Sequence, residues 1–300
     1  MIFNPVAGRL RGKGRRRLES AARILSEAGY VVSMVPTHGP GTAGEIARQA
    51  VHDGAELILA AGGDGTLNEV CNGLANSPVP LGILPAGTAN VLATEIGLGN
   101  DLERAARLLS KCVGCRISLG RLVCSSSPRN FLCMAGIGFD AQIVYDLTGG
   151  LKDRLGKAAY WIGGFSHALR RFPEFEIEID GGSRSLCSFA LVSRVRNYGG
   201  DFEIARSAGL QEDCFEVVLF RGKNSLPYLK YLCGMIAGRL AGMRGVSFLR
   251  ARQVRVFDPS ERRVHIQVDG EYAGCLPASI SLAPKALTLL MPPDYLSRRM

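Results

Sequence analysis

The sequence predicts an N-terminal doubly wound parallel α/β domain followed by a C-terminal β-sandwich domain. Two observations carry this. Over the first hundred residues, short apolar runs alternate with stretches whose apolar residues recur at helical spacing. Beyond Gly114, strand-like runs separated by turn residues dominate, as in an all-β domain. A chain of 300 residues, 47% hydrophobic and 21% charged, has the length for two cores and is too apolar to be disordered. The expected division is 1–114 and 115–286.

Met1 to Asn4 opens as a short strand. Between Arg15 and Ala28, the residues Leu18, Ala21, Ala22, Leu25 and Ala28 fall on one helical face, and Gly29 stops the helix. Tyr30 to Pro36 reads as a strand and Thr42 to Asp53 as a helix closed by Gly54. Glu56 to Ala61 is an apolar strand running into Gly62-Gly63-Asp64-Gly65, with a helix over Leu67 to Ala75. Leu81 to Leu84 is a strand ending in Pro85-Ala86-Gly87-Thr88. Asn90 to Ile96 and Leu102 to Leu109 are helical. Such alternation implies a parallel sheet with its ligand loops at the carboxyl ends of the strands. In the second domain, strands are expected over 116–124, 129–135, 175–180, 186–195, 214–221, 254–258, 264–269 and 278–282. Helical inserts are expected over 156–171 and 226–242, and a last strand over 287–291.

Lys and Arg number 36 against 27 Asp and Glu, a net charge of +9. That balance favours an anionic partner: a nucleotide, a nucleic acid or an acidic membrane. No RNA- or DNA-binding module accompanies it, so no nucleic-acid partner is expected. The opening MIFNPVAG lacks the apolar core of a targeting segment, and no run reaches the roughly 18 apolar residues of a spanning helix. Nine cysteines are scattered. Only Cys112 and Cys115 have C-x-x-C spacing, without a second pair or a nearby His to complete a zinc site, so free or buried thiols in a reducing cytosol are expected. His38, His52, His167 and His265 show no metal spacing.

The strongest chemical signal is AELILAAGGDGTLNEV. A buried strand enters Gly62-Gly63-Asp64-Gly65-Thr66 and a helix follows at once. Glycines let the backbone approach a ligand, and the helix start offers free N–H groups and a positive dipole end, so phosphate suits the turn. The pattern is neither G-x-G-x-x-G nor a Walker A loop. Asp64 can hold magnesium through water or accept a hydrogen bond from the ligand. The plainer reading is a strand-to-helix turn with Asp64 or Thr66 as N-cap. The same logic recurs at Gly87, Thr88 and Asn90 after the next strand, and at Asn4-Pro5-Val6-Ala7-Gly8 after the first. Beside that turn runs a basic cluster, Arg9, Arg11, Lys13, Arg15, Arg16 and Arg17, suited to ATP or anionic lipid, or to a solvated helix start. Lys152, Arg154, Lys157, Arg170 and Arg171 flank Tyr160, Trp161, Ile162 and Phe165, which suits a membrane interface or a packed insert.

NPVAG, GGDGTLNE and GTAN in this order resemble the diacylglycerol kinase catalytic domain of bacterial soluble lipid kinases, a domain shared with sphingosine and ceramide kinases. Ala135 to Ala141 (AGIGFDA) and Val268-Asp269-Gly270-Glu271 extend the resemblance to nearly the whole chain. It implies ATP and Mg2+ in a cleft between two domains. The nucleotide contacts it implies fall on Asn4, Pro5, Val6, Ala7, Gly8, Thr37, Gly62, Gly63, Asp64, Gly65, Thr66, Leu67, Asn68, Glu69, Gly87, Thr88 and Asn90. The implied acceptor base is Glu271, supported by Asp269, with Asp64 as the rival. By the same resemblance the last segment, 287–300, returns to the nucleotide domain. A metal-holding turn is implied at Gly209, Glu212 and Cys214, but here Glu212 stands where the family has Asp and Asp213 where it has Gly. The resemblance therefore leaves the metal at this turn open, a one-residue shift to Asp213 included.

Phosphoryl transfer from ATP to a membrane-lipid hydroxyl, with diacylglycerol as acceptor and phosphatidic acid as product, is the function the resemblance implies. It places the chain in the cytoplasm, in peripheral contact with anionic membrane. The competing readings are a kinase of a soluble acceptor such as NAD, and a silent homologue that keeps the nucleotide and membrane contacts. Oligomeric state is open, a dimer included.

Overall fold

The computed structural model describes residues 1–12, 14–125, 127–147, 172–199, 202–222, 225–259 and 263–297. The chain divides into two compact units, Met1–Leu119 with Pro284–Met300, and Gly120–Ala283. Lys13, the expected helix over 156–171, His167 and the basic and aromatic residues from Lys152 to Arg171 lie outside the described residues.

The elements begin with β1 (Ile2–Phe3), α1 (Gly14–Glu27), β2 (Val35–Pro36), α2 (Thr42–His52), β3 (Ile58–Gly62), α3 (Asp64–Leu74), β4 (Leu81–Pro85), α4 (Val91–Glu95) and α5 (Leu102–Leu109). Strands then dominate: β5 (Val113–Val123), β6 (Arg129–Phe131) and β7 (Met134–Gly138), followed by α6 (Phe139–Leu147). Next come β8 (Phe175–Ile179), β9 (Ser185–Cys187), β10 (Phe189–Ser193), β11 (Asn197–Tyr198), β12 (Phe202–Glu203) and β13 (Phe215–Phe220). After α7 (Ser225–Ile236) follow β14 (Val246–Ala251), β15 (Gln253–Phe257), β16 (His265–Val268), β17 (Glu271–Cys275), β18 (Ala278–Met291) and α8 (Pro293–Ser297).

The first unit is a parallel sheet ordered β2-β1-β3-β4 and continued by the end of β18, where Leu289 pairs with Leu81. Side chains alternate along β3, so Leu59 and Ala61 meet one helical layer while Ile58 and Ala60 point to the other side. All four are buried, as a sheet covered on both faces requires. Leu18, Ala21 and Leu25 of α1 and Leu102, Ala105, Ala106 and Leu109 of α5 form the first layer. The second layer joins α2 to α3 at glycines: a Cβ on Gly73 would lie 2.3 Å from the Gly44 carbonyl oxygen. Larger residues there would push the helices apart.

The second unit is antiparallel. One sheet is ordered β14-β13-β10-β7-β16-β17. A second layer holds β9-β8-β15 and the start of β18, with Val254 opposite Ile280, and the β5–β6 hairpin. Their inward residues, among them Phe131, Ile137, Phe175, Val192, Phe215, Val254 and Ile266, share one buried cluster, which makes the unit a sandwich.

Four expectations are corrected. The strand expected over Tyr30 to Pro36 shrinks to Val35–Pro36, because β1 offers only Ile2 and Phe3 as partners. The helix expected from Leu67 starts at Asp64, with Gly63 as N-cap; neither Asp64 nor Thr66 caps it. The strands expected over 278–282 and 287–291 are one strand, β18, which runs through Lys285 at φ 45°. Helix α6 forms over a stretch where no element is expected.

Candidate active site

The candidate residues form three groups, one in the first unit and two in the second. In the first unit three turns converge. Asn4 accepts the Val6 amide on Oδ1 (3.0 Å) and donates from Nδ2 to Thr66 Oγ1 (3.4 Å), which ties the first turn to α3. Arg9 donates from Nε to the Gly87 carbonyl (3.1 Å) and from Nη1 to that of Asn100 (2.9 Å), which ties it to the third. The second and third turns touch: a Cβ on Gly87 would lie 2.4 Å from Gly63 Cα, closer than any side chain permits. A Cβ on Gly8 would meet Thr88 Oγ1 at 3.4 Å. A glycine N-cap leaves α3 without a side-chain cap, so the amides of its first turn suit an anion lodged against the glycine turns.

The expected contacts separate by role. Pro5, Val6, Gly8 and Thr88 are exposed, and Gly63, Asp64 and Gly65 half-buried, so these can meet a ligand. Ala7 and Leu67 pack into the apolar interior and Gly62 is buried beneath Thr66, so they shape the turns. Asn90, in the left-handed region, accepts the Gly87 amide on Oδ1 (2.8 Å) and donates from Nδ2 to the Gly87 carbonyl (3.0 Å). It holds the third turn closed. Glu69 accepts the Gly41 and Ala43 amides (2.7 and 3.0 Å), and so caps α2. Thr37 and Asn68 are buried. Asp64 accepts the Leu92 amide at 3.4 Å, and its half-exposed carboxylate is the acid of this group. Of the basic cluster, Arg9 and Arg11 grip turn carbonyls, and Arg15 pairs with Glu19 in the open.

The second group is a hairpin. Val268 pairs with Glu271, so Asp269 and Gly270 form a two-residue turn, both at positive φ (49° and 82°), as a type I′ turn needs. The Asp269 carboxylate is buried and accepts three amides, Leu132 on Oδ2 (2.8 Å) and Cys133 and Met134 on Oδ1 (2.8 and 3.0 Å). With its oxygens so occupied, Asp269 anchors the turn. Glu271 is half-buried at the start of β17 and ion-paired with Arg129. Arg129 had no local signal in the sequence, because its partner lies 142 positions away.

Behind the hairpin stands a buried chain that sequence reasoning also missed. Gln267 accepts the Gly270 amide on Oε1 (2.8 Å) and donates from Nε2 to Asp140 Oδ2 (2.7 Å). Tyr198 donates its hydroxyl to Asp140 Oδ1. Gly136 makes room, since a Cβ there would lie 2.0 Å from Asp140 Oδ2. Burial pushes the Asp140 carboxyl up to about 6, against the opposing effect of its bonds from Tyr198 and Gln267. Burial, and then the Asp140 charge, raise the Tyr198 phenol well above its ordinary value. Asp140 lies in the AGIGFDA segment, but nothing local announces Gln267 as its partner.

At the turn expected to hold a metal, each group already has a protein partner. The Gly209 carbonyl accepts the Glu212 amide (3.1 Å), Arg250 Nη2 donates to the Glu212 carboxylate (2.6 Å), and Arg194 Nη1 donates to the Cys214 carbonyl (3.1 Å). Among the described residues, no cluster of His, Cys, Asp or Glu is arranged for a metal ion, and the nine cysteines are free thiols.

Phosphate-suited turns on a parallel sheet, followed in the chain by a β-sandwich, suit a nucleotide-binding protein. The profile of the diacylglycerol kinase catalytic domain matches residues 1–122, and that of the YegS C-terminal NAD kinase beta sandwich-like domain matches residues 134–291. The chain is 30% identical over 300 residues to a diacylglycerol kinase of Bacillus subtilis (strain 168), covering 98% of this chain and 96% of the relative. It is 28% identical over 305 residues to one of Staphylococcus aureus (strain bovine RF122 / ET3-1), covering 100% and 94%. A crystal structure of a diacylglycerol kinase from Bacillus anthracis strain Sterne shares the fold, with a TM-score of 0.78 at 21% identity over 98% of this chain and 96% of that one. The chain belongs to the diacylglycerol kinase family.

Proposed function

We propose that the protein transfers the γ-phosphate of ATP to the hydroxyl of a membrane lipid, with diacylglycerol as acceptor and phosphatidic acid as product. The observation that carries the nucleotide half is the contact of Gly63 with Gly87 beside the N-terminus of α3, where bare backbone can approach phosphates. The family relatives, named diacylglycerol kinases, support the lipid acceptor.

In this reading the amides of Gly63, Gly65 and Thr66 bind the phosphates, and Asp64 would hold the Mg2+ that travels with ATP, which would neutralise charge on the transferring group. Glu271 takes the proton from the lipid hydroxyl. The lipid oxygen bonds to the γ-phosphorus as the bond to the β-phosphate oxygen breaks, and ADP leaves. Arg129 orients the Glu271 carboxylate. Asp269 and the Gln267–Asp140 chain hold the hairpin so that Glu271 keeps its direction.

The net charge of +9 fits peripheral binding to anionic membrane. Such binding should weaken as salt rises, because exposed charges are screened over about 8 Å at physiological ionic strength; sedimentation with anionic vesicles reads this. Among the described residues no helix is long and apolar enough to cross a membrane. The test of the whole reading is transfer from labelled ATP to a panel of lipids in mixed micelles, with NAD as the soluble control. Labelled phosphatidic acid is the expected product. Labelled NADP, or no transfer to any acceptor, would overturn the reading.

A further inference from the structure

The turn over 209–214 is where the family resemblance implies a bound metal ion. The residues present do not fit one. Arg194, on the segment that follows β10, is completely buried and aims its guanidinium into this turn. Nη2 donates to the Leu210 carbonyl (2.8 Å), and Nη1 donates to the Cys214 carbonyl (3.1 Å) and to the Glu212 carbonyl. The three acceptors are main-chain oxygens converging on one positive charge, the arrangement a turn presents to a cation. The Glu212 carboxylate, which stands where the family has its charged metal ligand, points away to Arg250, whose Nε and Nη2 also reach Cys214 Sγ (3.1 and 2.8 Å). The Gly209 carbonyl closes the turn on the Glu212 amide.

We infer that Arg194 is a built-in replacement for the metal: its guanidinium holds the turn over 210–214 through three carbonyls, and the turn binds no divalent ion. A divalent ion placed on the Cys214 carbonyl would sit beside a fixed positive charge that cannot lose its proton. A buried guanidinium is tolerated only where its donors find acceptors, and the carbonyls supply them at Nη1 and Nη2, though not at the buried Nε. The departure from the family pattern at Glu212 then makes sense. With the charge supplied by Arg194, Glu212 need not reach inward, and the extra methylene that pulls its oxygens away from a metal lets them meet Arg250 instead. The inference does not depend on which lipid is phosphorylated, and its test needs neither ATP nor turnover.

The test is Mn2+ binding to the nucleotide-free protein, read from the electron paramagnetic resonance signal of free Mn2+, for the wild type and Glu212→Ala. The expected result is the same Mn2+ occupancy in both. A Mn2+ held by the wild type and lost in Glu212→Ala would overturn the inference. A second measurement addresses the guanidinium itself. Arg194→Lys keeps the charge but cannot span three carbonyls, so its thermal midpoint should fall, and by the same amount in EDTA as in magnesium. A variant as stable as the wild type, or one that magnesium restores, would contradict the role given to Arg194.

Discussion

At the scale of single residues, carboxylates of similar chemistry are given different tasks by their surroundings. Asp269 is saturated by three amides, Asp140 is buried behind the hairpin, and Glu271 alone stands half-exposed beside a cation. Asp140 has a pH signature. Its carboxyl is raised from 3.8 to about 6, so between these values the unfolded chain has released a proton that the folded chain still holds. Raising the pH through this window therefore favours unfolding, and the contribution lost is about 3 kcal/mol. Asp140→Asn has no carboxyl to titrate and so no such loss. Urea unfolding at several pH values from 4 to 7 should show the variant gaining on the wild type as pH rises; a constant difference would show that Asp140 does not titrate there. Arg129 is tested by turnover. Arg129→Met should lower kcat by about ten- to a hundredfold, the worth of a hydrogen bond to a charged group, with KM for ATP unchanged and Arg129→Lys partly restoring it. Equal loss in Arg129→Lys and Arg129→Met would assign Arg129 a packing role instead.

At the scale of elements, what was legible in the sequence was whatever short-range pattern controls. The strand-glycine-helix units appear where GGDGT and PAGT place them, because a glycine turn between a buried strand and a helix is specified by neighbours. Extent was less legible, since it depends on partners: β2 is only as long as β1 allows. Helix α6 escaped notice because FDAQIVYDL carries β-branched Ile143 and Val144 beside Tyr145, a composition that also suits a strand. Long-range side-chain pairs, Arg129 with Glu271, Gln267 with Asp140 and Arg194 with the turn over 210–214, leave no local trace at all. The convergence of turns is open to test. Gly87→Ala would place a Cβ 2.4 Å from Gly63 Cα, and neither backbone can yield without moving its turn. The expected cost is about 1–3 kcal/mol of stability. ATP binding should weaken by roughly tenfold or more, as one charged hydrogen bond would be misaligned. Unchanged ATP affinity by calorimetry would show that these two turns do not cradle the nucleotide.

At the scale of the whole molecule, each unit brings a distinct contribution. The parallel unit offers backbone dipoles for phosphate, and the sandwich holds one carboxylate in a rigid hairpin. Phosphoryl transfer asks for little else, because positioning and charge neutralisation do most of its work. The central claim is that Glu271 accepts the proton of a lipid hydroxyl, and one paired measurement reaches it: transfer of labelled phosphate from ATP to diacylglycerol in mixed micelles by the wild type and by Glu271→Gln, with ATP affinity measured on both. Gln keeps the size of Glu and one acceptor oxygen that Arg129 can reach, but it cannot take the proton. The expected result is a loss of turnover of about 10²- to 10⁴-fold with ATP affinity nearly unchanged. A variant that keeps more than about a tenth of wild-type turnover, well outside that range, would contradict the claim and pass the role of base to Asp64.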